Sequence, residues 1–483
     1  MSDKATHELD KLFYPKSIAM VGASPKRGKG WSSGNAYIAG SIKQDFPGKI
    51  FPVHPQADYI LGFKSYRSIR EIPHEIDLVV LTVPVSVAFE VMEECVDKGV
   101  KFVHLLTAGF TETGRPEHAA LEKKLLEIAR KGGVRILGPN CMGLYCPEGG
   151  LAWMDEFPTA PGPVGLFSQS GQLASHIVFE GAPQGLRFSK VASYGNALDL
   201  QAHEFLAYFA QDEKTALIGS YIEGLNDGRA FFEIAREVTR KKPLVIWKGG
   251  QTEGGSRATQ SHTAAMAGSS KIWQALCRQA GVISVDSMEE LIFTLSTLQR
   301  IDLPHGTNVA ILGGAGGGSV TMTDIAEKEG LKVPRLADKT IRSLEEFVPL
   351  EGNSSKNPLD LMEAVFSTEK FTKLITLLRD DPNIDALIFA MHLNWFYREM
   401  GRTGLSMFFE SIIKLKNLLK KPFLTILERE NDPIIESARQ DIEERLREAK
   451  VATFPTFELA ARVLSKTKKY NDFLSSHKEA SAI

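Results

Sequence analysis

Short apolar runs, each closed by Gly, Pro or a small polar residue, alternate along the chain with longer stretches of helical period. In the N-terminal part the runs are Ser17–Val21, Lys49–Pro55, Asp77–Pro84 and Phe102–Phe110. Between them, Asn35–Ile42, Val85–Lys98 and Glu117–Lys131 read as helices. Strand alternating with helix predicts a parallel, doubly wound α/β sheet, whose ligands sit where strands end. That carboxyl edge comprises Gly22, Ala23 and Ser24, then Val53, His54 and Pro55, then Val83 and Pro84, and last the segment containing Ala108 and Gly109.

The pattern then recurs twice. The strand Val134–Leu137 and the turn cluster Gly138–Gly143 lead out of the first unit. A second unit holds the strands Pro163–Phe167, Phe188–Tyr194, Thr215–Ile222 and Pro243–Trp247, with a helix over Leu173–Glu180. A third repeats it: Asn308–Leu312, a Gly-rich turn Gly313–Ser319, a helix Val320–Glu329, then Asp385–Asn394 and Lys421–Leu427. The expected domains are 1–147, 148–302 and 303–465, followed by a frayed polar tail at 466–483, rich in Lys and Ser.

Composition changes this picture little. The 483 residues are 43% hydrophobic and 24% charged with net charge −2, so the chain reads as an ordinary globular protein. The basic residues form no block that would point to nucleic acid or a membrane surface. Cys95, Cys141, Cys146 and Cys277 have neither metal-site nor disulfide spacing, and no signal-peptide or membrane-spanning run is present, so a cytoplasmic protein is expected.

Three stretches carry candidate chemistry. The turn after the first strand, Gly22–Gly34, is rich in Gly and includes the cations Lys26, Arg27 and Lys29, as a phosphate cradle before a helix N-terminus would be. The second strand ends at His54 and not at the acidic residue that would hold the ribose of NAD, which favours a nucleotide with phosphate near its ribose. In the second unit, Ser168, Gln169, Ser170 and Gly171 precede a helix, as in a site for a free anion; a plain Ser cap with a Gly turn fits equally. Between the strand ending at Trp247 and a helix from Lys271 runs a long stretch of Gly and small polar residues with one imidazole, His262. A mobile loop is expected there, with a surface loop and an incidental His as the plain alternative. The strand ending at Ile222 delivers Glu223 to the same sheet edge, where a carboxylate could fix the His262 tautomer. The third unit has no His in its matching loop and Asn394 at the expected place of Glu223, so the pair is specific to the second unit.

The sequence resembles the α subunit of the NDP-forming acyl-CoA synthetases, a family typified by ADP-forming acetyl-CoA synthetase and related to succinyl-CoA synthetase. The matching stretches are Ser17–Ser24, Gly138–Cys141, Phe167–Gly171, Gly195-Asn196 with Asp199, Tyr221–Gly224, Ser261–Thr263 with Ala267-Gly268, and Asn357–Asp360. The resemblance implies a Rossmann-like CoA-binding domain followed by two flavodoxin-like domains. It implies CoA held near Gly22, Ala23, Ser24, Lys26, Val53, His54, Pro55, Val83, Pro84, Ala108, Gly109 and Asn140. It further implies that His262 is phosphorylated, that Glu223 steadies the phosphohistidine, and that Ser168–Gly171 cap the helix that holds phosphate. ADP or ATP with Mg²⁺ would bind an ATP-grasp β subunit, giving an α2β2-type assembly; this chain itself carries no expected metal site. Ala264 and Met266 stand where family members have Gly and Leu, and the Gly313–Ser319 turn also departs from the family pattern. A CoA-binding scaffold without turnover is the rival reading, and it would need neither His262 nor Glu223.

Overall fold

The computed structural model describes residues 7–25, 32–263, 269–314, 316–349 and 353–481. The chain folds as two compact units, Met1–Ile292 and Phe293–Ile483.

Among its described residues the first unit contains two large sheets and a two-stranded hairpin. Strands β1 (Ser17–Val21) and β2 (Lys49–Val53) are followed by a small hairpin, β3 (Tyr59–Ile60) and β4 (Phe63–Lys64), and then by β5 (Leu78–Leu81), β6 (Phe102–Leu105) and β7 (Arg135–Leu137). Their sheet has the order β2-β1-β5-β6-β7 and is wholly parallel. Every residue of β1, β5 and β6 is buried, as continuous apolar runs require when helices cover both faces.

The second sheet contains β8 (Gly143–Tyr145), β9 (Val164–Ser168), β10 (Phe188–Ser193), β11 (Leu217–Ile222), β12 (Leu244–Lys248) and β13 (Ile283–Val285), in the order β13-β12-β11-β9-β10-β8. All pairs are parallel except β8 with β10. Apart from β8, both sheets follow the flavodoxin-like order, in which the first strand lies between the second and third. The winding reverses between β1 and β5 and again between β9 and β11, and these are the places where ligands of such sheets bind.

The stretch after β12, expected as a loop, is helical over Glu253–Thr263. Capping outweighs its glycines. The Thr252 hydroxyl accepts the N–H of Gly255 at 3.1 Å, Glu253 pairs with Arg257 at 2.8 Å, and the Thr259 hydroxyl donates to the Gly255 carbonyl at 3.0 Å.

The second unit is built on β14 (Val309–Leu312), β15 (Ala386–Met391), β16 (Phe423–Leu427) and β17 (Ala452–Phe454), parallel and in that order. Two isolated bridges, Asn308–Lys332 and Leu312–Leu359, stand where a second strand would lie. Pro334 and Pro358, which lack the N–H a ladder needs, adjoin these pairings. Two expectations are corrected here. Met391 ends β15 opposite Leu427, as Ile222 ends β11 opposite Lys248, so His392 occupies the position of Glu223 and Asn394 lies in the following helix, Leu393–Leu419. The residues from Lys466 onward are no frayed tail but continue the helix Phe457–Ser481, where Thr467 and Tyr470 are buried. Among the described residues, no helix is long and apolar enough to cross a membrane.

Candidate active site

The first sheet brings its predicted residues to one edge, because β2, β1, β5 and β6 are neighbours and parallel. Gly22 leaves β1 at φ +99°, and a Cβ there would lie 2.5 Å from Thr82 Oγ1 and 2.8 Å from the Thr82 carbonyl. Only glycine lets the turn pass over the end of β5. Ala23 is buried. Ser24 is pinned by Asn35, whose carboxamide accepts its N–H at 2.7 Å and donates to its carbonyl at 2.9 Å. Lys26, Arg27 and Lys29 lie outside the described residues. His54 Nδ1 accepts the N–H groups of Gln56 and Ala57 at 3.1 and 3.0 Å, which places the proton of the neutral ring on Nε2. Val53 is buried, whereas Pro55, Pro84 and Ala108 are exposed at the rim and Val83 is half-buried.

The N–H of Gly109 is already taken. Glu112 accepts it together with the N–H of Phe110, and accepts from Asn196 Nδ2 at 2.7 Å. Burial opposes the Glu112 carboxylate, but these donors together hold it below its ordinary range. Glu122 takes the N–H and hydroxyl of Thr111 at 2.8 and 2.6 Å, and burial pushes its carboxyl up. Asn140 Nδ2 donates to Asn196 Oδ1 at 3.4 Å, so Asn140 sits on the seam between the two sheets. Asp199 closes the same seam by accepting from Arg135 Nε at 2.8 Å and the Ile136 N–H at 2.9 Å.

At the switch point of the second sheet, Ser170 caps the helix Gly171–Gly181 by accepting the Leu173 N–H at 3.2 Å. The Ser168 hydroxyl donates to the Ser170 carbonyl at 2.7 Å. Gln169 reaches across to β11, where its Oε1 accepts the N–H groups of Glu223 and Gly224. These three side chains therefore shape the turn, and the donors left for an anion are the first N–H groups of the helix, which have no intrahelical partner. Gly171 is required by close packing, since a Cβ would lie 2.2 Å from Met142 Cγ.

Glu223 is 8% exposed. Its Oε1 accepts the Tyr221 hydroxyl at 3.2 Å, and its buried Oε2 has no partner among the described residues. The buried Tyr194 hydroxyl likewise has no partner among the described residues; burial, with the Glu223 charge, drives its phenol well above the ordinary value and keeps it a donor. Lys248 ends β12, and its Nζ donates to the carbonyls of Glu223 and Gly249. The helix Glu253–Thr263 starts five residues beyond β12 and packs against the turn Thr111–Thr113 at the edge of the first sheet. The backbone of His262 lies in its last turn; the His262 side chain, with Ala264 and Met266, lies outside the described residues. Sequence reasoning did not single out Tyr194, Lys248, Glu112 or Glu122. The signal available for Lys248 was its place at the end of a parallel strand. Among the described residues, no cluster of His, Cys, Asp and Glu could hold a metal ion.

Comparison with known proteins agrees with this fold. A family profile described as a CoA binding domain matches residues 16–147, and one described as a succinyl-CoA ligase like flavodoxin domain matches 161–298. The chain is 39% identical over 382 residues to the α subunit of ADP-forming acetate–CoA ligase II of Pyrococcus furiosus, covering 79% of this chain and 81% of that one. It is 36% identical to ADP-forming acetate–CoA ligase II of Archaeoglobus fulgidus over 81% of its own length but only 58% of that protein. A dinucleotide-forming acetyl-coenzyme A synthetase 1 of Ca. Korarchaeum cryptofilum, solved in complex with phosphate and ADP, superposes with a TM-score of 0.82 at 28% identity, covering 98% of this chain and 99% of that one. The chain belongs to the NDP-forming acyl-CoA synthetase family, in the part of it formed by the α subunits of the ADP-forming acetate–CoA ligases.

Proposed function

We propose that this chain is the α subunit of an ADP-forming acyl-CoA ligase that interconverts acyl-CoA, phosphate and ADP with acid, CoA and ATP through a phosphohistidine at His262. One observation carries the reading. The helix that bears His262 rises from the edge where Gln169 ties Glu223 to a helix N-terminus, and it packs against the turn that follows Ala108–Phe110. An anion site, a buried carboxylate and an imidazole-bearing helix thus adjoin the edge assigned to CoA.

The chemistry runs in three transfers. A phosphate oxygen attacks the thioester carbon, the C–S bond breaks, and CoA leaves as a thiolate that takes up a proton. Neutral His262 then attacks the acyl phosphate: a P–N bond forms, the P–O bond to the acyl group breaks, and the carboxylate departs. The phosphoryl group passes last to the terminal oxygen of ADP, giving ATP and restoring the imidazole. Glu223 holds the ring so that its reacting nitrogen keeps a lone pair, and the N–H groups at Gly171 stabilise the phosphoryl oxygens. CoA lies along Gly22–Ser24, Val53–Pro55, Val83-Pro84, Ala108-Gly109 and Asn140, with Lys26 as a counter-charge. The nucleotide and its Mg²⁺ bind a separate ATP-grasp β subunit in an α2β2-type assembly, in the cytoplasm.

The test is to incubate the α–β complex with Mg²⁺ and ATP labelled at the γ-phosphate. An acid-labile, base-stable label on this chain, absent from His262→Ala, is the expected result. CoA binding without any such label would support the scaffold reading instead.

A further inference from the structure

Lys248 is a buried ammonium whose partners are main-chain carbonyls. It is 6% exposed, and its Nζ donates to the Glu223 carbonyl at 2.6 Å and to the Gly249 carbonyl. Taking an ammonium out of water is costly, and two carbonyl dipoles recover only part of that cost. Burial accordingly lowers the affinity of Lys248 for its proton, while the charge of Glu223 acts the other way.

The two carbonyls it joins matter. Ile222 and Lys248 are paired at the ends of β11 and β12, so Glu223 and Gly249 are the first residues beyond each strand. One leads to the candidate carboxylate and the other to the helix bearing His262. The chain past Lys248 also runs against Tyr221: a Cβ on Gly249 would lie 2.6 Å from the Tyr221 hydroxyl oxygen, which itself donates to Glu223 Oε1 at 3.2 Å. Gly250 then turns at φ +69° toward the helix.

We infer that Lys248 is a positioning residue for phosphoryl transfer: it clamps the exits of β11 and β12 together and so sets where Glu223 stands relative to the helix that carries His262. This rests on the phosphohistidine reading above. A neutral side chain of the same length would fill the space but release both carbonyls.

The experiment uses the full-length chain and acetyl phosphate labelled at phosphorus as the probe, with label on protein followed by rapid quench. Lys248→Met is expected to slow labelling by about 10- to 100-fold, the scale on which a small misplacement of reacting groups acts. Half-saturation by acetyl phosphate and the dissociation constant for CoA should stay within about twofold, a split that a general loss of folding would not produce. In a Glu223→Gln background the same substitution should cost less than about threefold, because the group it positions is gone. Lys248→Gln, whose amide N–H groups still donate but on a side chain one atom shorter, should fall between wild type and Lys248→Met, and it serves as the test variant if Lys248→Met does not fold. Labelling of Lys248→Met within twofold of wild type, or an equal loss in both backgrounds, would overturn the inference while leaving the phosphohistidine reading standing. A wild-type chain that takes no label would remove both.

Discussion

Gln169 and Glu223 are joined across the switch point of the second sheet, side chain to main chain, and the same Gln169 oxygen takes the N–H of Gly224 at 2.9 Å. Gln169→Leu therefore leaves two buried N–H groups without an acceptor, each worth about 1–3 kcal/mol. The variant is expected to melt at lower temperature and to take up the phosphoryl label of the proposed phosphohistidine about 10- to 100-fold more slowly, with CoA affinity unchanged. Thermal melting and the labelling assay on one preparation check both. A lower melting temperature with full labelling would show that Gln169 supports the fold alone.

Gly22→Ala is expected to weaken CoA binding severely, because the added methyl meets Thr82 and the backbone is left-handed. Pairing it with Thr82→Ala removes the clash with Oγ1 but leaves the Thr82 carbonyl at 2.8 Å and the positive φ. Calorimetry should show that the double variant regains only a minor part of the affinity.

Wild-type protein is expected to bind CoA more tightly than NAD in the same measurement, since the first residue beyond β2 is His54, with Nε2 as a donor, and not a carboxylate for a ribose. Tighter binding of NAD would overturn the assignment of this edge.

Asn196 donates to Thr111 Oγ1 at 3.1 Å, Glu112 at 2.7 Å and Glu122 at 3.3 Å. Asn196→Asp would set a third carboxylate against two others and is expected to lower the melting temperature by several degrees at about pH 7. The folded chain raises the Glu122 pKa, so its contribution to stability is present below the ordinary carboxylate value and is lost as pH rises through the folded value. The deficit of the variant should therefore shrink as pH is lowered toward the ordinary carboxylate range. A deficit that does not change with pH would argue for lost hydrogen bonds alone.

His104 is fully buried, with Nε2 3.3 Å from the Cys141 carbonyl and Nδ1 without a partner among the described residues, and burial lowers its pKa to about 4. As pH falls below about 6.5 the unfolded chain takes up this proton first, so stability declines until about pH 4, by about 3 kcal/mol in all. Urea unfolding at several pH values should show this slope in wild type and its loss in His104→Gln.

The strands and the repeated architecture were legible because buried parallel strands leave unbroken apolar runs that little else imitates. Glu223 was legible for the same reason: where a strand ends, the edge begins. The helix Glu253–Thr263 was not, since its glycines argue against a helix, while what favours it is a Thr252 cap and packing against the turn Thr111–Thr113 from a distant part of the chain. The work of Gln169 was also hidden. In the sequence it reads as a donor to an anion, whereas the fold turns its oxygen toward β11. The counterpart of Glu223 was read as Asn394, two residues beyond the true position at His392, because an apolar run continues past the end of β15 into the next helix.

The antiparallel strand β8 has a practical consequence for anyone dissecting the protein. Its residues, Gly143–Tyr145, fall inside the segment matched as the CoA-binding module, yet they pair with Val191–Ser193 of β10. A fragment cut at residue 147 would carry away the strand that covers β10. The remaining piece would then present a bare apolar edge of the kind that recruits strands from neighbouring molecules. Expression of the two halves separately should yield aggregates where a cut placed before Gly143 would not.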